Sequence, residues 1–183
     1  GWIKLYILIM RFIELHRHLD ASIRPKTLLE SIQKFKIDSR FQTEEDIRKY
    51  FWITKQMNSL EEVLSCFTLF QKCLMTDEIL EQVAFEAVED AYNEGIRLLE
   101  LRYSPSFTSQ LSLIPWAAAL DAFERGIQNA KKTYPIQVGL ILIISREYGV
   151  EIAEKTVEFA IEHSNRIIGL DLAGSEASFP CSL

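Results

Sequence analysis

The chain has 183 residues, of which 48% are hydrophobic and 25% charged. That balance fits one globular domain with a real core and excludes two ordinary domains. The net charge of −6 comes with basic residues scattered along the chain, which excludes a nucleic-acid-binding face.

Residues 1–13 are apolar but interrupted by Lys4 and Arg11, short of the ~18 uninterrupted apolar residues a membrane span needs. No small-residue cleavage site follows before His16, as a signal peptide would require. Met10 offers a start of translation, which would make residues 1–9 an upstream extension. Phe12 to His18, FIELHRH, alternates Phe12, Glu14, His16 and His18 against Ile13, Leu15 and Arg17, the period of a strand. Pro25 then stands at a first helical position, with Leu28, Leu29 and Ile32 at helical spacing. Thr43 with Asp46 and Ser59 with Glu62 read as capping boxes opening two more helices. The second, Leu60 to Leu74, carries Val63, Leu64, Phe67, Phe70 and Leu74 on one stripe. Thr76 caps a longer helix, Asp77 to Asn93, and Gly95 stops it.

Ile96 to Tyr103 reads as a buried strand that Pro105 ends. A helix over 115–133, a strand over 136–144, a helix over 148–163 and a strand over 166–173 follow. Strands apolar on both faces, alternating with helices, imply parallel pairing with helices outside. Two architectures fit: a doubly wound open sheet, or part of a TIM barrel. His16 and His18, Arg102 and Ser104, Ser145 and Arg146, and Asp171, Ser175 and Glu176 gather at the carboxyl ends of the strands. That placement suits the barrel better, and no glycine-rich phosphate loop follows the first strand. The fold class is therefore α/β: four parallel strands, half of a (β/α)8 barrel, with a helical excursion after the first strand.

Cys66 and Cys73 fall seven apart on one helix, a core-packing pattern without metal-type spacing. With Cys181 the cysteine count is odd, which fits a reducing, cytoplasmic compartment. The sharpest chemical signal is His16-Arg17-His18 followed by Leu19-Asp20. Histidines two apart on a strand point to one side and can share a cation, and neutral imidazole suits zinc. The alternative for such a pair is a structural or surface role. His163 reads as a solvated residue near a helix end, or as one that complements the helix dipole. Glu100 and Arg102, on one face of the second strand, read as a structural pair at the rim or as substrate contacts.

Glu14 to Glu30, ELHRHLDASIRPKTLLE, resembles the opening of the adenosine deaminase family, whose pattern is HxHLDG followed by a Pro-x-Thr helix. Glu100 to Pro105, ELRYSP, is similar to the family's second-strand segment, and Leu170 to Glu176, LDLAGSE, to its DLAGDE segment. The three stand in family order across about 160 residues. The resemblance implies a hydrolase of purine metabolism that deaminates adenosine or deoxyadenosine to inosine or deoxyinosine with release of ammonia. It implies one zinc ion, with His16 and His18 as metal ligands. His18 and Asp20 would line the substrate pocket, Asp20 accepting from a ribose hydroxyl, and the Gly174 N–H would reach a purine ring nitrogen. Asp20 in place of the glutamate of similar adenine deaminases favours a nucleoside over a free base.

Two residues depart from the pattern. Ala21 replaces the family glycine, a strained substitution if the backbone there has a positive φ. Ser175 replaces an acid at the pocket rim. The family's catalytic HAGE-, HG- and NTDDP-like segments would follow Gly174, and only Ser175 to Leu183 do. The resemblance thus makes 1–183 a single partial domain with no catalytic residue of its own, expected to be inactive alone. Its partners are a purine nucleoside and the missing half of the barrel or another copy, with neither nucleic acid nor membrane. The competing reading is a non-catalytic half-barrel kept for interaction or dimerisation. Another metal-dependent amidohydrolase would share the HxH strand but has no reason to carry Asp20 or LDLAGSE.

Overall fold

A computed structural model describes residues 11–51 and 60–180, with the backbone course alone for 60–66. Met10, the Ser59–Glu62 cap, the side chains of Val63, Leu64 and Cys66, and Cys181 lie outside the described residues. Strand β1 (Phe12–His18) runs into a 3-10 turn (Leu19–Ala21), then into α1 (Pro25–Phe35), α2 (Glu44–Phe51), α3 (Leu60–Cys73) and α4 (Asp77–Asn93). Strand β2 (Ile96–Tyr103), α5 (Pro105–Ser112), α6 (Trp116–Lys131), β3 (Gln137–Ser145), a 3-10 turn (Arg146–Tyr148), α7 (Gly149–Glu162) and β4 (Ile167–Ala173) complete it. The strands pair in parallel in the order β1-β2-β3-β4, as the strand–helix rhythm predicts.

The element boundaries follow from local chemistry. The Thr43 hydroxyl accepts from the Asp46 N–H at 3.2 Å, while the Asp46 carboxylate accepts from the Thr43 N–H at 2.9 Å; this is the expected reciprocal cap. Thr76 caps α4 by accepting from the Ile79 N–H. Gly95, at φ +93°, makes the left-handed step after α4 that lets the chain turn directly into β2. One helix was not anticipated from the sequence. Pro105 ends β2 but also occupies the first turn of α5, where its missing N–H costs nothing, and the Ser104 hydroxyl caps that helix by accepting from the Phe107 N–H.

The core lies between the helix-facing side of the sheet and α4 and α6. Leu99, Leu101 and Tyr103 from β2 are fully buried with Leu142, Val83, Leu120 and Phe123, and the Tyr103 and Phe123 rings pack edge to face at 4.7 Å. Each such side chain contributes about 1.5–3 kcal/mol on burial. A second cluster of Leu28, Ile32, Phe41, Ile47 and Cys73 holds the excursion α1–α3 together. The burial of Cys73 agrees with the packing reading of that residue. At the sheet's two edges apolar side chains stay exposed, Ile13 at 65% and Ile168 at 60% among them.

The strict alternation expected along β1 does not hold. Glu14 pairs with Leu99, and Arg17 with Leu101, across a register shift. Leu99 and Leu101 both face the helices, so the extra residue brings Glu14 and Arg17 to that side, 3.8 Å apart, and His18 beside Arg102 on the other. Glu14 is thereby turned from the face that carries His18, and its carboxylate accepts from the His16 N–H at 3.0 Å.

Candidate active site

The carboxyl ends of all four strands open onto one cavity of about 320 Å³. Its wall includes His18 at the end of β1 and Asp20 after it, Ser104 after β2, Ser145 at the end of β3, and Gly174 after β4. Helix α3 closes one side: the Phe67 ring meets the His18 ring edge-on at 6.3 Å.

His16 is exposed and His18 half-buried, with ring centroids 5.4 Å apart. A zinc–nitrogen bond of ~2.0–2.1 Å puts each ring centroid roughly 3 Å from the metal, so two rings on one ion span at most roughly 6 Å. The observed spacing fits two imidazoles sharing a cation. Among the described residues, no cluster of three or more His, Cys, Asp or Glu side chains could hold a metal. β1 brings two imidazoles together, where catalytic zinc takes three protein ligands and an open position.

Asp20 is 3% exposed. Its Oδ2 accepts from the Ser104 N–H at 3.0 Å, and its buried Oδ1 has no hydrogen-bond partner among the described residues. Oδ1 lies 3.7 Å from His18 Nδ1, beyond hydrogen-bond reach. A buried carboxylate oxygen without a donor is costly unless a ligand supplies one. Ala21, in the 3-10 turn behind Asp20, is not among the described non-glycine residues with positive φ, which are Lys36 and Leu113. The strain considered for this alanine is therefore absent.

Arg102 is buried, and its partner is not Glu100. One guanidinium nitrogen donates to Asp171 Oδ2 at 2.7 Å and the other to the Leu15 carbonyl at 2.5 Å. Strands β1, β2 and β4 are tied together, a structural role for Arg102. Burial pushes the Asp171 carboxyl up, but the hydrogen bonds from Arg102 and from the Leu172 N–H, with the Arg102 charge, outweigh it and leave the group below its ordinary value. His163 caps α7, its ring in hydrogen-bond contact with the Phe159 carbonyl at 2.9 Å, in keeping with a helix-end role.

Gly174 has φ +114°, a conformation that side chains resist. A Cβ there would also collide with the Glu147 carboxylate. Ser175, the second departure from the motif, is buried, and its N–H donates to Glu147 Oε1 at 2.6 Å. Glu147 thus brings a carboxylate to the rim where the motif's own acid is missing. Sequence reasoning passed over Glu147; its place two residues beyond the end of β3 was the available signal. It also did not foresee the hydroxyl chain in which Ser104 Oγ meets Ser106 Oγ at 2.9 Å and Ser145 Oγ at 2.8 Å.

Residues 12–183 match the family model described as adenosine deaminase. The chain belongs to the adenosine deaminase family. Among its curated relatives is the adenosine deaminase of Shigella flexneri serotype 5b, 34% identical over 170 residues that make up 93% of this chain and 51% of the relative. The chain spans about half the length of the curated relatives it matches. Arabidopsis ADAL, solved in complex with GMP, is 28% identical with a TM-score of 0.77, over 94% of this chain and 52% of that one. An amidohydrolase from Burkholderia ambifaria, solved with bound zinc, gives a TM-score of 0.82 at 21% identity, over 97% of this chain and 48% of that one. The fold is the N-terminal half of the family's barrel. No described helix is long and apolar enough to cross a membrane.

Proposed function

We propose that these residues form the metal-binding and nucleoside-binding wall of a zinc-dependent hydrolase that deaminates adenosine or deoxyadenosine. The observation that carries the reading is Asp20: one oxygen held by the Ser104 N–H, the other buried beside His18 with no donor. A ribose hydroxyl can supply that donor, and a free base carries no such hydroxyl. His16 and His18 hold the metal through neutral imidazole nitrogens, and His18 contributes to both the metal site and the pocket. When bound there, zinc supplies Lewis-acid activation of water for attack on the amino-bearing purine carbon. Gly174 offers its backbone to the purine edge, and Phe67 on α3 shields the metal side from solvent.

The general acid/base and the third histidine of the reaction belong to none of the residues in this wall. The purified chain is expected to take up zinc weakly through His16 and His18 and to release no ammonia from adenosine. Ammonia release by the chain alone would contradict this division of roles, and zinc uptake unaffected by His16→Ala with His18→Ala would contradict the ligand assignment. The exposed apolar residues on edge strands β1 and β4 favour a second reading, a half-barrel that associates with another copy through those edges. Size-exclusion chromatography with zinc analysis separates the two: a stable, metal-free dimer supports the scaffold.

A further inference from the structure

The space beside Gly174 is filled by the chain itself. The Glu147 carboxylate lies where a side chain on Gly174 would stand, its Oε1 takes the Ser175 N–H at 2.6 Å, and Glu147 and Gly174 both line the cavity. Among the described residues Oε2 has no hydrogen bond. The turn that carries Glu147 is anchored on either side. Arg146 donates to the Phe179 carbonyl at 3.2 Å, and the Tyr148 hydroxyl donates to Gln110 Oε1 at 2.8 Å. The backbone is held, while the Glu147 side chain is exposed and is fixed only through its carboxylate.

A carboxylate oxygen and a purine ring nitrogen are both hydrogen-bond acceptors. A loop that presents N–H groups and a bare Cα at Gly174–Ser175 can be satisfied by either, but two acceptors cannot share one space. We infer that Glu147 is a self-competing residue of the nucleoside pocket: its carboxylate takes the space beside Gly174 in the free chain and is displaced when a nucleoside enters. This rests on the reading that places the base at Gly174. The displaced carboxylate gives up a hydrogen bond of the charge-assisted kind, so its presence lowers nucleoside affinity by about tenfold.

The test is a titration of the 183-residue chain with adenosine, followed through the amide resonances of Gly174 and Ser175. Glu147→Ala is expected to bind about tenfold tighter than the parent chain, with adenosine moving both amides in both proteins. Glu147→Gln keeps the side chain's volume and a weaker acceptor, and is expected to fall between them. It keeps the test open if the alanine variant loosens the loop. Equal or weaker binding by both variants, with the same amide shifts, overturns the displacement role and leaves the base position intact. Adenosine that moves neither amide, even with Glu147 removed, overturns the base position and the displacement role with it.

Discussion

The Ser104 N–H donates to Oδ2 of Asp20 at 3.0 Å, while Oδ1 of the same buried carboxylate has no partner among the described residues. One oxygen fixes the side chain and the other is left for a ligand. Asp20→Ala strands the buried Ser104 N–H and is expected to cost about 1–3 kcal/mol of stability. Asp20→Asn keeps an acceptor for that N–H and is expected to cost less. Urea unfolding of the two variants measures the difference.

The Arg102–Asp171 pair joins β2 to β4 with Asp171 still a quarter exposed. Arg102→Leu leaves that carboxylate without its cation and is expected to destabilise by about 2–3 kcal/mol, below the range for a fully buried pair. Because the folded-state Asp171 pKa is depressed, the native state binds fewer protons in acid than the unfolded chain. The stability it contributes is present above the unfolded carboxyl pKa of about 4 and is lost as pH falls through the folded value. Unfolding midpoints between neutral pH and pH 3 should fall less steeply in the Arg102→Leu variant than in the parent.

Cys73 gives the opposite dependence. Burial pushes its thiol up to about 12, against roughly 8.5 in an unfolded chain. The folded state holds the proton longer, so this contribution is intact below about pH 8.5 and is lost as pH rises toward the folded value. The buried Tyr103 hydroxyl, also pushed up by burial, adds a loss that begins above about pH 10. Unfolding measured from pH 7.5 to 10 should show a falling midpoint that Cys73→Ala flattens, and the native thiol should resist alkylation at neutral pH.

Ala21 tests the loop beside Asp20. Its backbone carries no positive φ, so restoring the family glycine relieves nothing and enlarges the unfolded ensemble. Ala21→Gly is expected to lower stability by about 0.4–1 kcal/mol. A gain of similar size would mean that the loop is strained after all.

Much of the architecture was legible in the sequence because its punctuation is local. Pro25, Thr43 with Asp46, Thr76 and Gly95 each act within a few residues of the boundary they set. The parallel order follows from apolar strands separated by helices. Features that depend on contacts between distant segments were not legible. The register shift between Glu14 and Arg17 is defined by the pairing of β1 with β2, and Arg102 on β2 finds Asp171 on β4 across β3, 69 residues away. The Glu147 contact with Ser175 joins two loops 28 residues apart. Helix α5 was hidden because Pro105 serves as a strand end and a helix start at once. In the site itself, His16, His18, Asp20 and Gly174 stood out through motif resemblance. The asymmetric Asp20 carboxylate and the filled space at Gly174 required coordinates.

The nucleoside reading stands or falls most directly on calorimetric titration of the zinc-loaded chain with adenosine and with adenine, repeated for Asp20→Ala. Adenosine is expected to bind the parent chain about tenfold or more tighter than adenine, the scale of one hydrogen bond to a buried charge. That preference is expected to vanish in Asp20→Ala. Equal affinities in the parent chain, or a preference that survives the loss of Asp20, would contradict the account.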